Sequence, residues 1–252
     1  MPKGNLSPGH YSLLMSKLSP FHFRFDEANL AYGYLVFASV LLALIPTFFG
    51  SLDLHVARLF FFPRVIDSSA WRWVQFLNDY TPTIFRALML ICSILWLISG
   101  LQVRWKKWRL ALAFVVLAGI AGPGLAVNGI VKPLWERARP SQIQEFGGTQ
   151  EFSQAGVFAE ECSKDCSFVS GHAACGFFFS SLCLIFRKRR AALMAFGFLA
   201  GAMIGFARIS GMHHWLSDVL WAFPVTLLSS WAVWWLLQAF EPKVRLQTEY
   251  CE

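Results

Sequence analysis

Residues 110–140 read LALAFVVLAGIAGPGLAVNGIV and then KPLWERARP. The first part carries no ionisable side chain and is long enough to cross a bilayer as a helix. The second part sets Lys132, Arg139 and Pro140 at its end. Ionisable groups at the edge of a membrane are costly, so they mark functional sites by default. The same arrangement recurs further along the chain. Ser170-Gly171-His172 opens an apolar run, and Arg208, His214 and Asp218 flank the turn between two more.

Working outward, apolar runs lie at about 29–50, 82–101, 110–131, 167–186, 191–207 and 214–238. The chain is 56% apolar and only 15% charged, which places it among membrane proteins. The expected fold is all-α: a polytopic membrane protein with about six transmembrane helices in a bundle. The expected division is a cytoplasmic tail over 1–27, a membrane-embedded domain over 28–240 and a cytoplasmic tail over 241–252. Tyr11 to Leu18 read as an interfacial helix. Leu59 to Pro63 are too short to span and read as an amphipathic piece at the outer surface, with Trp71 and Trp73 in an interfacial belt. The first run begins near residue 28 and is long enough to remain as a span, so no cleavable signal is read. Gly119, Gly122, Pro123 and Gly124 interrupt the third run and suggest a kink with close packing.

Charge fixes the expected orientation. Arg104, Lys106, Lys107 and Arg109 fill one loop and Arg187 to Arg190 another, and such clusters stay on the cytoplasmic side. All three polar stretches then fall on the opposite side. The formal charge of +7 is therefore read as topology and attraction to anionic lipid. No basic stripe interleaves with exposed aromatics, which argues against nucleic acid.

The chemistry follows from residue types. Lys132, Arg139 and Arg208 suit an anion clamp, and arginine's planar fork matches a phosphate. His214 and Asp218 are spaced to share one helical face, so the carboxylate can fix the ring's tautomer and leave the other nitrogen free to attack. His213 is a rival nucleophile, but its spacing puts it on a different face from Asp218. His172 is a second histidine, able to protonate a leaving group. Ser170 and Gly171 precede a helix whose first N–H groups suit a phosphate oxygen. The loop over 141–166 reads as a binding lid with solvated acids. His55 reads as a surface residue. Arg86 reads as a side chain that snorkels, with contact to a phosphate as the alternative.

A lysine, six residues and Arg-Pro, then Ser-Gly-His, then an arginine, five residues, a histidine, three residues and an aspartate: this set resembles the type-2 phosphatidic acid phosphatase superfamily of integral-membrane lipid phosphatases. The resemblance runs from Lys132 to Asp218. It implies His214 as the nucleophile that becomes a phosphohistidine, Asp218 as its orienting group and His172 as the general acid. It also implies Lys132, Arg139, Arg208, Ser170 and Gly171 as the phosphate site, with no metal and no cofactor. Two positions depart from the pattern: Val169 replaces a usual proline and Ala207 a usual serine. The stretch Cys166 to Ala174 looks like the bacterial branch that dephosphorylates lipid A at its 1- or 4′-position, on the periplasmic face of the inner membrane.

The expected partners are thus the bilayer and a lipid A or phospholipid substrate, while the oligomeric state is not legible. Phosphatidylglycerophosphate, phosphatidic acid and undecaprenyl diphosphate are the alternative substrates, and a lipid phosphotransferase would use the same histidine. A transporter is disfavoured by the lack of repeated halves. A zinc hydrolase is disfavoured because three cations would repel the metal. Cys162 and Cys166 sit in the polar loop, where an outer location predicts a disulfide; the alternative is two free thiols.

Overall fold

A computed structural model describes residues 27–61, 71–163 and 165–240. Both tails, Tyr11 to Leu18 and the end of the Leu59–Pro63 run lie outside the described residues. The fold is all-α. Its helices are α1 (Glu27–Phe48), α2 (Ser51–Arg58), α3 (Arg72–Leu101), α4 (Arg109–Gly119), α5 (Gly171–Phe177), α6 (Arg190–Ser210) and α7 (Leu216–Phe240). Helix α4 continues as a π-helical segment, Ile120–Val131, and one α-turn, Lys132–Trp135. Helix α5 continues as a 3-10 segment, Phe178–Leu184.

Among the described residues, five helical stretches are long and apolar enough to cross a membrane. The sixth expected span is shorter, Gly171–Leu184. Its position explains why: it is the central helix of the bundle. It packs against α1, α3, α6, α7 and the π segment, and nearly all of its side chains are buried. A helix walled in by its neighbours has no need to match the bilayer's thickness with an apolar face of its own. The outer helices carry apolar surface outward instead. Phe37, Leu41 and Phe48 of α1 and Leu90, Leu97 and Leu101 of α3 are exposed, the reverse of a water-soluble domain.

Small residues let the central helix approach α6. A Cβ on Gly176 would meet the backbone nitrogen of Gly201 at 2.6 Å, and one on Gly201 would collide with the Phe177 ring. Without a hydrophobic driving force between helices in lipid, such close contact supplies the association. Tyr32 ties α1 to α7 and to the 3-10 segment: its hydroxyl donates to the Leu227 carbonyl at 2.9 Å and lies 3.2 Å from Ser181 Oγ.

The interruption in the third run takes the form of the π segment, where Pro123 lacks an N–H and its carbonyl accepts from Asn128 Nδ2 at 2.6 Å. Wide turns of this kind often accompany functional sites. The 141–166 loop is more ordered than a bare lid. It has short 3-10 turns at Pro140–Gln142 and Gln144–Phe146, and Ile143 and Phe146 pack on Trp215, Ala138 and Ala57 in a small buried cluster. Cys162 and Cys166 form a disulfide.

Candidate active site

The three polar stretches converge on one cavity of about 830 Å³. Lys132 reaches it from the end of the π segment, and Arg139 from the loop beyond. Gly171 and His172 come from the start of α5, Arg208 from the last turn of α6, and His214 from the turn before α7. The rest of the wall is largely apolar: Pro82, Phe85 and Met89 of α3 face Ile120, Pro123 and Leu125 of the π segment, and Arg86 lies among them. The cavity is therefore charged at one end and oily along its length.

His214 is buried, with Nδ1 3.5 Å from Oδ2 of Asp218. That leaves Nε2 as the ring nitrogen available for chemistry. Burial pushes its pKa down to about 3, against the opposing pull of Asp218. A neutral imidazole is the nucleophilic form. His213 does not line the cavity, so the structure places only one of the adjacent pair where a substrate could meet it. Asp218 is fully buried and saturated: Oδ2 accepts from Ser167 Oγ and from the Trp215 N–H at 2.8 Å, and Oδ1 accepts from Arg137 Nη1 at 2.7 Å.

His172 Nε2 lies 3.2 Å from the backbone carbonyl of Asn78 on α3. A ring nitrogen facing a carbonyl carries the proton, so Nδ1 is left for other partners. Asn78 also touches the clamp: its Oδ1 accepts from Arg208 Nη1 at 3.2 Å and its Nδ2 donates to the Ala207 carbonyl at 3.2 Å. Arg208 Nε is buried with no hydrogen-bond partner among the described residues, a donor set up for an anion. Arg139 donates from Nε to the Asp165 carbonyl at 2.9 Å, which ties the disulfide loop to the clamp.

Ser170 stands at the N-terminus of α5, beside the cavity wall. Its hydroxyl caps α5 by accepting from the Ala173 N–H at 3.4 Å, and it does not line the cavity. Gly171 does line it. A Cβ there would press on the Asn128 side chain at 2.9 Å. His55 is exposed, as expected of a surface residue.

The sequence reading missed Asp53, Asn78, Arg137, Ser167 and Ser217. Arg137 lies inside the first stretch, and a charged residue that keeps no place in the phosphate clamp was a signal for a second role. Asp53, Asn78 and Ser217 gave no signal, because their partners are far away in the chain.

Among the described residues, no group of three or more His, Cys, Asp or Glu is arranged to hold a metal ion. A sequence model of the PAP2 superfamily matches residues 108–242, more than half of the chain. A lipid A 4′-phosphatase of Francisella tularensis subsp. novicida (strain U112) is 34% identical over 151 residues, 58% of this chain and 68% of the relative. Lipid A 4′-phosphatases of Rhizobium leguminosarum and Rhizobium etli are 39% and 40% identical over 46% of this chain. Those alignments span 49% and 44% of the two relatives, about half their length. No solved structure matches the chain.

Proposed function

The chain belongs to the PAP2 superfamily, and from that premise we propose that this multi-pass bacterial membrane protein is a lipid phosphatase that removes the 4′-phosphate of lipid A through a phosphohistidine. The cavity carries this reading: cations and two histidines at one end, an apolar channel between α3 and the π segment along the rest. Such a site suits a phosphate joined to hydrocarbon. The relatives' names support lipid A and the 4′-position.

In the first step Nε2 of His214 attacks phosphorus in line, the lipid–oxygen bond breaks, and the leaving oxygen takes a proton from His172. The step uses His172 as the imidazolium: the Asn78 carbonyl keeps the Nε2 proton, the second proton leaves from Nδ1, and the water of the second step restores it. Lys132, Arg139 and Arg208 stabilise charge on the transferring oxygens, with Gly171 beside them. In the second step water attacks phosphorus, its proton passes to His172, and phosphate leaves with His214 neutral again. The two basic loops favour an orientation with the cavity at the periplasmic side and both termini in the cytoplasm.

The test uses purified protein in detergent with EDTA. Lipid A, phosphatidylglycerophosphate, phosphatidic acid and undecaprenyl diphosphate are offered separately, and free phosphate and the lipid product's mass are read. Loss of the 4′-phosphate from lipid A is the expected result. Turnover of another lipid instead would discard the substrate, loss of activity with EDTA would discard the metal-free mechanism, and phosphate transfer only to an acceptor lipid would make the protein a phosphotransferase.

A further inference from the structure

Arg137 stands two residues before Arg139, yet its guanidinium turns away from the cavity. It is fully buried and grips two carboxylates at once. Nη1 donates to Asp218 Oδ1 at 2.7 Å and to Ser217 Oγ at 2.7 Å. Nη2 donates to Asp53 Oδ2 at 2.8 Å, and Nε to the Ser153 carbonyl at 2.9 Å. Asp53, on α2, also accepts from the Ser217 N–H at 2.9 Å and from Ser217 Oγ at 2.5 Å. The Trp215 and Phe152 rings lie 5.2 and 5.7 Å from the guanidinium carbon. Asp53, Arg137 and Asp218 are essentially inaccessible to water.

This is a costly arrangement for mere cohesion, since a buried ion pair seldom outperforms apolar packing of the same volume. Its charge count suits the chemistry beside it. Two carboxylates and one guanidinium leave one net negative charge in a dry site next to His214. When Nε2 bonds to phosphorus the ring gains a positive charge, and the group as a whole becomes neutral. The contacts also immobilise Asp218, because one of its oxygens is held by Arg137 and the other by Ser167 and Trp215.

We propose that Asp53 and Arg137 are positioning residues for phosphoryl transfer, acting through Asp218 to hold the His214 ring in the line of attack. Asp53 lies outside the stretch that matches the family model, so helix α2 contributes to the site from beyond it. The proposal rests on His214 as the nucleophile.

The test compares wild type with Asp53→Asn, Arg137→Ala, Arg137→Lys and Ser217→Ala in the full chain in detergent, on a substrate that wild type turns over. Orthovanadate and inorganic phosphate serve as inhibitors, and melting temperature is measured alongside. Vanadate mimics the five-coordinate transition state and needs the ring in place, whereas phosphate needs only the cations. Asp53→Asn should lower kcat by about ten- to a hundred-fold and weaken vanadate by a similar factor, with KM and phosphate inhibition within about twofold of wild type. Arg137→Lys should partly rescue relative to Arg137→Ala. Ser217→Ala keeps every charge and should show the same pattern at smaller size, which carries the test if the charged positions fail to fold. Unchanged kcat with a lower melting temperature would reduce the cluster to a structural one and overturn the proposal. Equal losses in vanadate and phosphate binding would overturn it too. A dead His214→Ala beside a fully active Asp53→Asn defeats only this proposal; an active His214→Ala defeats the nucleophile as well.

Discussion

Nδ1 of His214 stands 3.5 Å from Oδ2 of Asp218, and the amide of Trp215 reaches the same oxygen at 2.8 Å. The carboxylate thus sits under the first turn of α7 and meets the ring from the side away from the cavity. His213, one residue earlier, has neither this partner nor a place in the cavity wall. His214→Ala should therefore abolish phosphate release and the acid-labile phosphoenzyme, while His213→Ala keeps both. Activity lost in His213→Ala and kept in His214→Ala, measured on protein of matched melting temperature, would reverse the assignment.

The tether between His172 and the Asn78 carbonyl makes a second expectation. If His172 gives its proton to the leaving alkoxide, His172→Ala should cut kcat on a lipid substrate by about 10²- to 10⁴-fold. The loss should shrink sharply on p-nitrophenyl phosphate, whose phenolate leaves without a proton. Equal losses on the two substrates would show that His172 binds or positions phosphate and donates nothing.

How much of this was legible in the sequence depends on distance along the chain. Lys132, Arg139, His172, Arg208, His214 and Asp218 announced themselves because each stands out from the apolar run beside it, and five of the six line the cavity. Asp53 and Arg137 meet across 84 positions, so no local pattern could pair them. The span boundaries were read within a few residues except for α3, which starts at Arg72, ten residues before the expected 82. Polar Gln75, Asn78 and Asp79 hid that first stretch, although Asn78 holds both Arg208 and His172. The π segment was visible only as a cluster of Gly and Pro, since composition shows that a helix is disturbed but not how it compensates.

The Cys162–Cys166 bridge closes a short loop that carries Asp165, whose carbonyl accepts from Arg139, and it adjoins Ser167, which donates to Asp218. Reduction, or Cys162→Ser with Cys166→Ser, removes a cross-link worth about 2 kcal/mol by loop entropy. Because both neighbours touch the site, activity should fall further than stability does: KM should rise several-fold at a temperature where the variant remains folded. A lowered melting temperature with unchanged kinetics would confine the bridge to a structural role.

The two histidines of the 213–214 pair predict an acid-sensitive fold. Burial lowers His214 to about 3 and His213 to about 4, so both stay neutral in the folded protein. In the unfolded chain they bind protons below about 6.5. The unfolded state therefore gains protons that the folded state refuses, and the stability they contribute, complete above about 6.5, is lost as pH falls toward 4. For buried His214 the slope approaches about 1.4 kcal/mol per pH unit, and half-buried His213 adds less. Melting in detergent between pH 7 and 5 should fall accordingly, with a shallower fall in His214→Gln. A parallel fall in that variant would assign the acid sensitivity to other groups.

Helix α5 presents His172 to the cavity only because Gly176 lets it lie against α6. A methyl group at Gly176 would meet the Gly201 nitrogen at 2.6 Å, and backbone on that side cannot rotate away. Gly176→Ala should therefore force the two helices apart at a cost of about 1–3 kcal/mol. Gly33→Ala on α1 is the matched comparison, since its new methyl would find the Trp231 ring at an ordinary 3.6 Å. That change should stay within about 0.5 kcal/mol. The separation should also reach the site, because α5 carries Gly171 and His172 while α6 carries Arg208. Gly176→Ala is expected to lose activity at temperatures where it is still folded, and Gly33→Ala to keep it. If Gly176→Ala melts and turns over like Gly33→Ala, the close approach of α5 and α6 is not what holds His172 against the phosphate clamp.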